Sequence, residues 1–189
     1  TVSTFAIRFY AWSAYAFTDD PLQFTMNGYF DVGSRFEWLD KIIRPKLLKL
    51  KTLQEKILFT EQVLLKRLSD VRENTVVNDT IQNILINKGS LDIAKLAKES
   101  FVSTRQLERL FHEYIGITPK KLSNLIRYQF LWRDILCEPD FYVLSAVHKF
   151  GYTDQSHLLR EFKRYHSIDI HNARIMAFKD VGNIQDVFV

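Results

Sequence analysis

Two arginines occupy the same point of a repeated pattern. Ser103-Thr-Arg-Gln-Leu-Glu-Arg-Leu-Phe-His-Glu-Tyr114 returns 51 residues later as Asp154-Gln-Ser-His-Leu-Leu-Arg-Glu-Phe-Lys-Arg-Tyr165. Leu107, Arg109, Phe111 and Tyr114 thereby fall on Leu158, Arg160, Phe162 and Tyr165. In each copy the apolar residues follow helical spacing and the arginine lies on another side. Arg105, Glu108, Arg109 and His112 share one such outer face, and Ser156, Leu159, Arg160 and Lys163 share the other.

These side chains suit base recognition. A guanidinium can bond guanine O6 and N7 together, worth about 1–3 kcal/mol of discrimination. A carboxylate accepts from a cytosine amine, and an outward leucine such as Leu159 fits a thymine methyl. The expected base-contacting residues are Arg105, Glu108 and Arg109 in the first copy and Ser156, His157 and Arg160 in the second. Thr104, Gln106, Lys120, Gln155 and Lys163 are expected at the phosphate backbone. The competing reading pairs Arg109 and Arg160 with neighbouring acids on a solvated face. Glu108 also repels phosphate.

Other chemistries find little support. His148, His157, His166 and His171 are spaced nine, nine and five apart, unlike the ligands of a closed zinc site, and no cysteine pair accompanies them. No metal and no cofactor are expected. The chain has no Gly-rich phosphate loop, no nucleophile elbow and no evident pair of catalytic carboxylates, so no catalytic residue is assigned and no enzyme is expected. Cys137 is the single cysteine, which excludes an internal disulfide, and Glu138 beside it disfavours the thiolate, so a structural role is expected.

Composition bounds the class. The 189 residues are 47% hydrophobic and 25% charged, as in an ordinary globular protein. No apolar run reaches the roughly 18–20 residues of a membrane span, and no secretion signal is evident, so a cytoplasmic protein with no membrane partner is expected. The net charge of +4 is unevenly placed. Residues 88–179 hold 15 Lys/Arg against 10 Asp/Glu, while residues 1–87 hold 11 against 10. Basic charge gathered around the repeated helices favours a polyanionic partner.

The elements that must position these faces are helical. Leu91–Glu99 reads as a short helix with Ile93, Leu96 and Ala97 inward. A break over Ser100–Ser103 follows, then a helix capped by Ser103-Thr-Arg-Gln106 with Val102 stapled to Leu107. Such a pair is a helix-turn-helix whose second helix enters the major groove. The second unit pairs a helix over Phe141–Phe150, with Leu144 and Val147 inward and Gly151 in the turn, with one capped by Asp154. Leu158, Phe162 and Tyr165 are its inner residues. Between the units, Thr118 caps and Pro119 opens a helix to about Leu136, roughly 18 residues or ~27 Å. Leu122, Leu125, Ile126, Phe130, Trp132 and Leu136 make it apolar nearly all round, so both units are expected to pack on it. Such a strut suits two recognition helices one DNA turn, ~34 Å, apart.

Upstream, Phe5, Ile7 and Phe9 alternate with Ala6, Arg8 and Tyr10 as in a short strand. Asp20-Pro21 and Asn27-Gly28 signal turns. Ser34-Arg-Phe-Glu37 and Thr52-Leu-Gln-Glu55 read as capping boxes, with Pro45 ending the first helix near Ile43. The second helix runs to about Leu68 on a stripe of Leu53, Ile57, Leu64 and Leu68. A third carries Val77, Ile81, Ile84 and Leu85 and closes at Gly89.

From Leu91 to Arg174 the chain resembles the AraC/XylS family of bacterial transcription regulators. The likeness is densest at Val102-Ser-x-x-x-Leu-x-Arg-x-Phe111, Gly116-Ile-Thr-Pro119 and Gly151-Tyr-Thr-Asp-Gln-Ser-His-Leu-Leu-Arg-Glu-Phe162. Phe9-Tyr-x-Trp12 and the helices after it resemble the sensor end and linker of one branch. The resemblance implies a mainly α fold: two helix-turn-helix subdomains joined by a long central helix, preceded by a helical linker and a short strand-containing remnant. The implied divisions are the end of a sensor domain over 1–33, a linker or dimerisation module over 34–87, the DNA-binding domain over 88–179, and a tail over 180–189. It also implies sequence-specific binding of double-stranded promoter DNA in the bacterial nucleoid. RNA polymerase, a small-molecule effector at the N-terminal region and a second copy of the chain are further partners in that picture. The departure is Ser167-Ile-Asp-Ile170, where the first unit has Gly116-Ile-Thr-Pro119, and it puts the last helix's geometry in question. A protein-interaction module on the same scaffold, its DNA face impaired by Glu108 and this change, is the alternative.

Overall fold

The computed structural model describes residues 4–18, 29, 31–68 and 74–179, and among these every regular element is helical. The chain divides into two compact units, Thr1–Ile81 with Ile93–Pro119 and Gln82–Asp92 with Lys120–Val189. The turn signals at Asp20-Pro21 and Asn27-Gly28 and the tail over 180–189 lie outside the described residues.

In the first unit the expected strand does not form. Residues 4–10 form no regular element and have no strand partner among the described residues, yet Phe5, Ile7 and Phe9 are half-buried between exposed neighbours. A lone strand has no ladder to join, so its apolar side turns to helices instead. Phe9 stacks on Phe17 at 4.7 Å and on Phe36 at 6.4 Å. A 3-10 turn, Ala14–Phe17, buries Phe17, whose carbonyl accepts from Trp38 Nε1 at 2.7 Å. The Tyr15 hydroxyl donates to Asn78 Oδ1 at 3.0 Å, and its ring meets Tyr114 edge-on.

Two helix boundaries depart from expectation. A single turn, α1 (Val32–Arg35), precedes α2 (Glu37–Leu47), and Ser34 donates to the Asp31 carbonyl rather than capping a helix. Pro45 lies inside α2, which continues to Leu47. At the last turn a proline deletes only one hydrogen bond, so the helix tolerates it. The second capping box forms: Thr52 Oγ1 accepts from the Glu55 amide at 3.2 Å, and Glu55 Oε2 accepts from Thr52 and Lys51 amides. These bonds hold the Glu55 carboxyl below its ordinary pKa. Here α3 (Leu53–Leu68) starts, but its stripe is not the expected one. Ile57 and Leu64 are half-buried, Leu53 and Leu68 are exposed, and Thr60 is the buried residue.

The third helix, α4 (Thr75–Ile86), buries Val77, Ile81 and Ile84 and ends at Gly89, whose φ is 74° and whose N–H bonds Ile84 O at 2.8 Å. A Cβ on Gly89 would lie 2.1 Å from Ser123 O and 2.6 Å from Arg127 N. Only glycine lets this turn touch the next long helix, α7 (Pro119–Cys137). From Leu122 to Leu136, Gln129 alone is exposed, as expected of a helix apolar on most sides. Cys137 ends it exposed, with no packing role.

The second unit's core joins Leu131 and Ile135 of α7 to Ala146, Val147, Phe150, Tyr152, Leu158, Phe162 and Ala173. The supporting helix α8 is Val143–Lys149, shorter than expected, with Ala146 and Val147 buried. Leu144, expected inward, is 45% exposed. The inner face runs through Ala146, Val147 and Phe150 instead.

Candidate nucleic-acid interface

In the first unit, α5 (Ile93–Glu99) buries Ile93, Leu96 and Ala97, and the chain turns within four residues into α6 (Thr104–Tyr114). Ser103 caps it, its hydroxyl accepting from the Gln106 amide at 3.1 Å. Leu107 and Phe111 are wholly buried, Tyr114 is buried and Leu110 half-buried. The apolar stripe fixes the helix's rotation, so Arg105, Glu108, Arg109 and His112 all emerge on its exposed side. Thr104 and Gln106 are exposed at its first turn, and Lys120 is exposed at the start of α7.

The second unit repeats the device. Asp154 Oδ1 accepts from the His157 amide at 2.7 Å and starts α9 (Gln155–His166). Leu158 and Phe162 are buried and Tyr165 is half-buried, less enclosed than expected. Gln155, Ser156, Leu159, Arg160 and Lys163 are exposed. Leu159 keeps 37% of its surface in solvent. His157 differs from the other expected base readers. Its ring is half-buried edge-on to Tyr152 at 5.3 Å, with Nε2 3.9 Å from Glu161. It flanks the outer stripe rather than lying in it.

Among the described residues, no carboxylate lies within ion-pair reach of Arg105, Arg109 or Arg160. The solvated-face reading required such pairs.

What sequence reasoning missed lies behind α9. Glu161 is buried and accepts from Arg127 of α7: Nε to Oε1 at 3.1 Å, Nη2 to Oε1 at 2.9 Å and Nη2 to Oε2 at 2.7 Å. The Tyr152 hydroxyl donates to Oε1 at 2.9 Å, and the guanidinium lies 4.2 Å from the Tyr152 ring centre. Burial, then the Glu161 charge, raises the Tyr152 pKa. The pair locks α9 to α7. Its signal was available: Glu161 follows Leu158 by three and precedes Phe162, on the inner stripe.

The altered link after α9 keeps its geometry. Ser167 adopts φ 66°, where the first unit has Gly116 at φ 81°. Asp169 replaces Thr118 and Pro119 as the start signal, its carboxylate accepting from the Asn172 amide at 3.0 Å and side chain at 2.6 Å. The final helix, α10 (Ile170–Lys179), follows and buries Ala173.

Residues 96–174 match the sequence profile of a helix-turn-helix domain family. The match supports the resemblance to AraC-type helix-turn-helix regulators over that stretch. No significant match to a curated protein or to a solved structure was found. A helix-turn-helix domain over these residues supports a DNA-binding role in transcription regulation. No helix of the described residues is long and apolar enough to cross a membrane, and no cluster of three or more metal-ligating residues occurs among them.

Proposed function

We propose that the chain reads double-stranded DNA sequence-specifically, with α6 and α9 entering successive major grooves. Arg105, Glu108 and Arg109 meet bases at one half-site, and Ser156, Arg160 and the flanking His157 at the other. Thr104, Gln106, Lys120, Gln155 and Lys163 hold the phosphates. Residues 88–179 are the DNA-binding domain in this reading, 34–87 a linker or dimerisation module, and 1–33 the end of an effector-sensing domain. RNA polymerase is the further partner.

The observation that carries the proposal is the repeated arginine. Arg109 and Arg160 stand exposed and unpaired among the described residues, on helices whose inner sides bury Leu107 and Phe111 in one and Leu158 and Phe162 in the other. A solvated helix has no need to keep two such guanidinium groups clear of acids. The preserved turn at Ser167 and cap at Asp169 remove one ground for a crippled second unit.

Selection of duplexes from a random pool, using the chain beside an Arg109→Ala/Arg160→Ala variant, tests this. Two enriched blocks about one turn (~34 Å) apart are expected, lost in the variant. Affinity should fall steeply with salt as counterions are released. No enrichment, with equally weak binding by both proteins, refutes the reading.

A further inference from the structure

The turn of the first helix-turn-helix contains a residue that the fold does not explain. Phe101 has φ 56°, in the left-handed region, and is 97% exposed. The second unit has Gly151 at the matching point, with φ 63°. The two turns share one hydrogen-bond pattern. Phe101 N–H bonds Lys98 O and Val102 N–H bonds Ala97 O, as Gly151 N–H bonds His148 O and Tyr152 N–H bonds Val147 O. The backbone therefore wants a glycine at both points, and in the first a bulky L-residue stands there at a steric cost. Its ring recovers nothing from packing, since it packs on nothing.

Its surroundings select a partner. Phe101 stands two residues before the cap of α6, after exposed Lys98 and Glu99, the latter paired with Lys95, and before exposed Arg105 and Arg109. An exposed apolar ring on the turn that leads into a basic helix face fits a polyanion that also presents an apolar group. The major groove of DNA presents one, the thymine methyl, and phenylalanine is a suitable contact for it.

We propose that Phe101 contacts a thymine methyl at the margin of the α6 half-site, adding a base preference that the helix face itself does not supply. This rests on the reading of α6 as a recognition helix. It differs from the contacts of Arg105, Glu108 and Arg109 in coming from the turn, and in having no counterpart at Gly151.

The test uses the full chain, the duplex enriched by the wild type, and a set of duplexes with uracil replacing each thymine in turn. Phe101→Gly and Phe101→Asn both relieve the left-handed backbone, and Phe101→Leu keeps an apolar group. Wild type should lose affinity roughly three- to fivefold at one uracil position beside the α6 block, the scale of one buried methyl. Phe101→Gly and Phe101→Asn should bind the parent duplex weaker by about that factor and no longer distinguish thymine from uracil there. Phe101→Leu should retain part of the discrimination. Both relieved variants should also melt higher, by roughly 2–4 °C. A residue kept for folding would show the opposite thermal sign. Unchanged affinity and discrimination, or a lower melting temperature in both variants, overturns the proposal. Arg109→Ala run in parallel locates the failure. If it too binds like wild type, the reading of α6 falls; if it binds weakly while Phe101→Gly does not, only the assignment of Phe101 falls.

Discussion

Replacing Glu161 by methionine, which is similar in length and uncharged, strands a buried cation. Arg127 and Glu161 side chains are each 7% exposed. Without the carboxylate, the guanidinium loses all three bonds to Glu161 and keeps Asn124 Oδ1 at 3.5 Å, a weak contact. The Tyr152 hydroxyl loses its acceptor as well. Removing one partner of a buried pair costs about 3–5 kcal/mol. Against a total stability of about 5–15 kcal/mol, that is a large share. The double variant Arg127→Met/Glu161→Met removes the stranded charge and should recover most of the loss, because two apolar groups of similar volume pack where the ions met.

Denaturant unfolding followed by Trp132 fluorescence reads the second unit, since Trp132 packs on Phe162 and His166. DNA affinity should follow the same order: wild type and double variant close together, Glu161→Met far weaker, because the pair fixes α9 against α7. A loss below about 1 kcal/mol in Glu161→Met, in the range of an exposed ion pair, would refute the claim that the charges are buried and interdependent. A double variant as unstable as the single one would refute the claim that the pair can be replaced.

Three further outcomes are expected. Ser167→Gly should stabilise the second unit by about 1 kcal/mol, because φ 66° costs an L-residue and not glycine; an unchanged or lowered denaturation midpoint contradicts this. Gly89→Ala should destabilise by more than about 2 kcal/mol, combining the left-handed φ with backbone 2.1 Å from the new Cβ, and thermal unfolding measures it. His166 receives or donates a bond with Tyr128 Oη at 2.7 Å and stacks on Phe162, and burial lowers its pKa below 6.5. The fold thus favours the neutral ring. Its contribution is complete above the unfolded pKa of 6.5 and declines as pH falls from there to the folded value. Melting curves at falling pH should show that loss, and His166→Gln should flatten it. Equal pH slopes in both proteins would refute the assignment.

The inner faces were legible because burial and helical period leave a regular trace. Leu107, Phe111, Leu158 and Phe162 lie where their spacing put them, and the outward positions of Arg105, Arg109, Ser156 and Arg160 followed by subtraction. Caps were legible where hydroxyl or carboxylate had a free amide three residues on, as at Ser103, Thr52 and Asp154. The same logic failed at Ser34, where the short α1 supplied another carbonyl for the hydroxyl. The strand over residues 5–10 failed for a related reason. Alternation reports which side chains turn from solvent, and Phe5, Ile7 and Phe9 do so by half, but it does not report whether a second strand exists to receive the backbone.

The remaining gaps concern residues whose type contradicts their place. Glu161 is a charged residue on an inner stripe, and only an arginine on an apolar helix 34 positions earlier makes that tolerable. Pattern reading assigns each to solvent separately and misses that together they satisfy one another in the core. Phe101 is the converse, an apolar residue that the turn pushes outward. Ser167 lies between: a polar residue in a glycine's conformation, whose amide still reaches Lys163 O at 2.8 Å. In all three, the local rule is broken while the surrounding geometry of the repeat is kept. The repeat therefore constrains the backbone more tightly than the side chains. The residues that depart from it are where the two helix-turn-helix units came to differ: a locked second helix in one, and an exposed aromatic beside the first helix in the other.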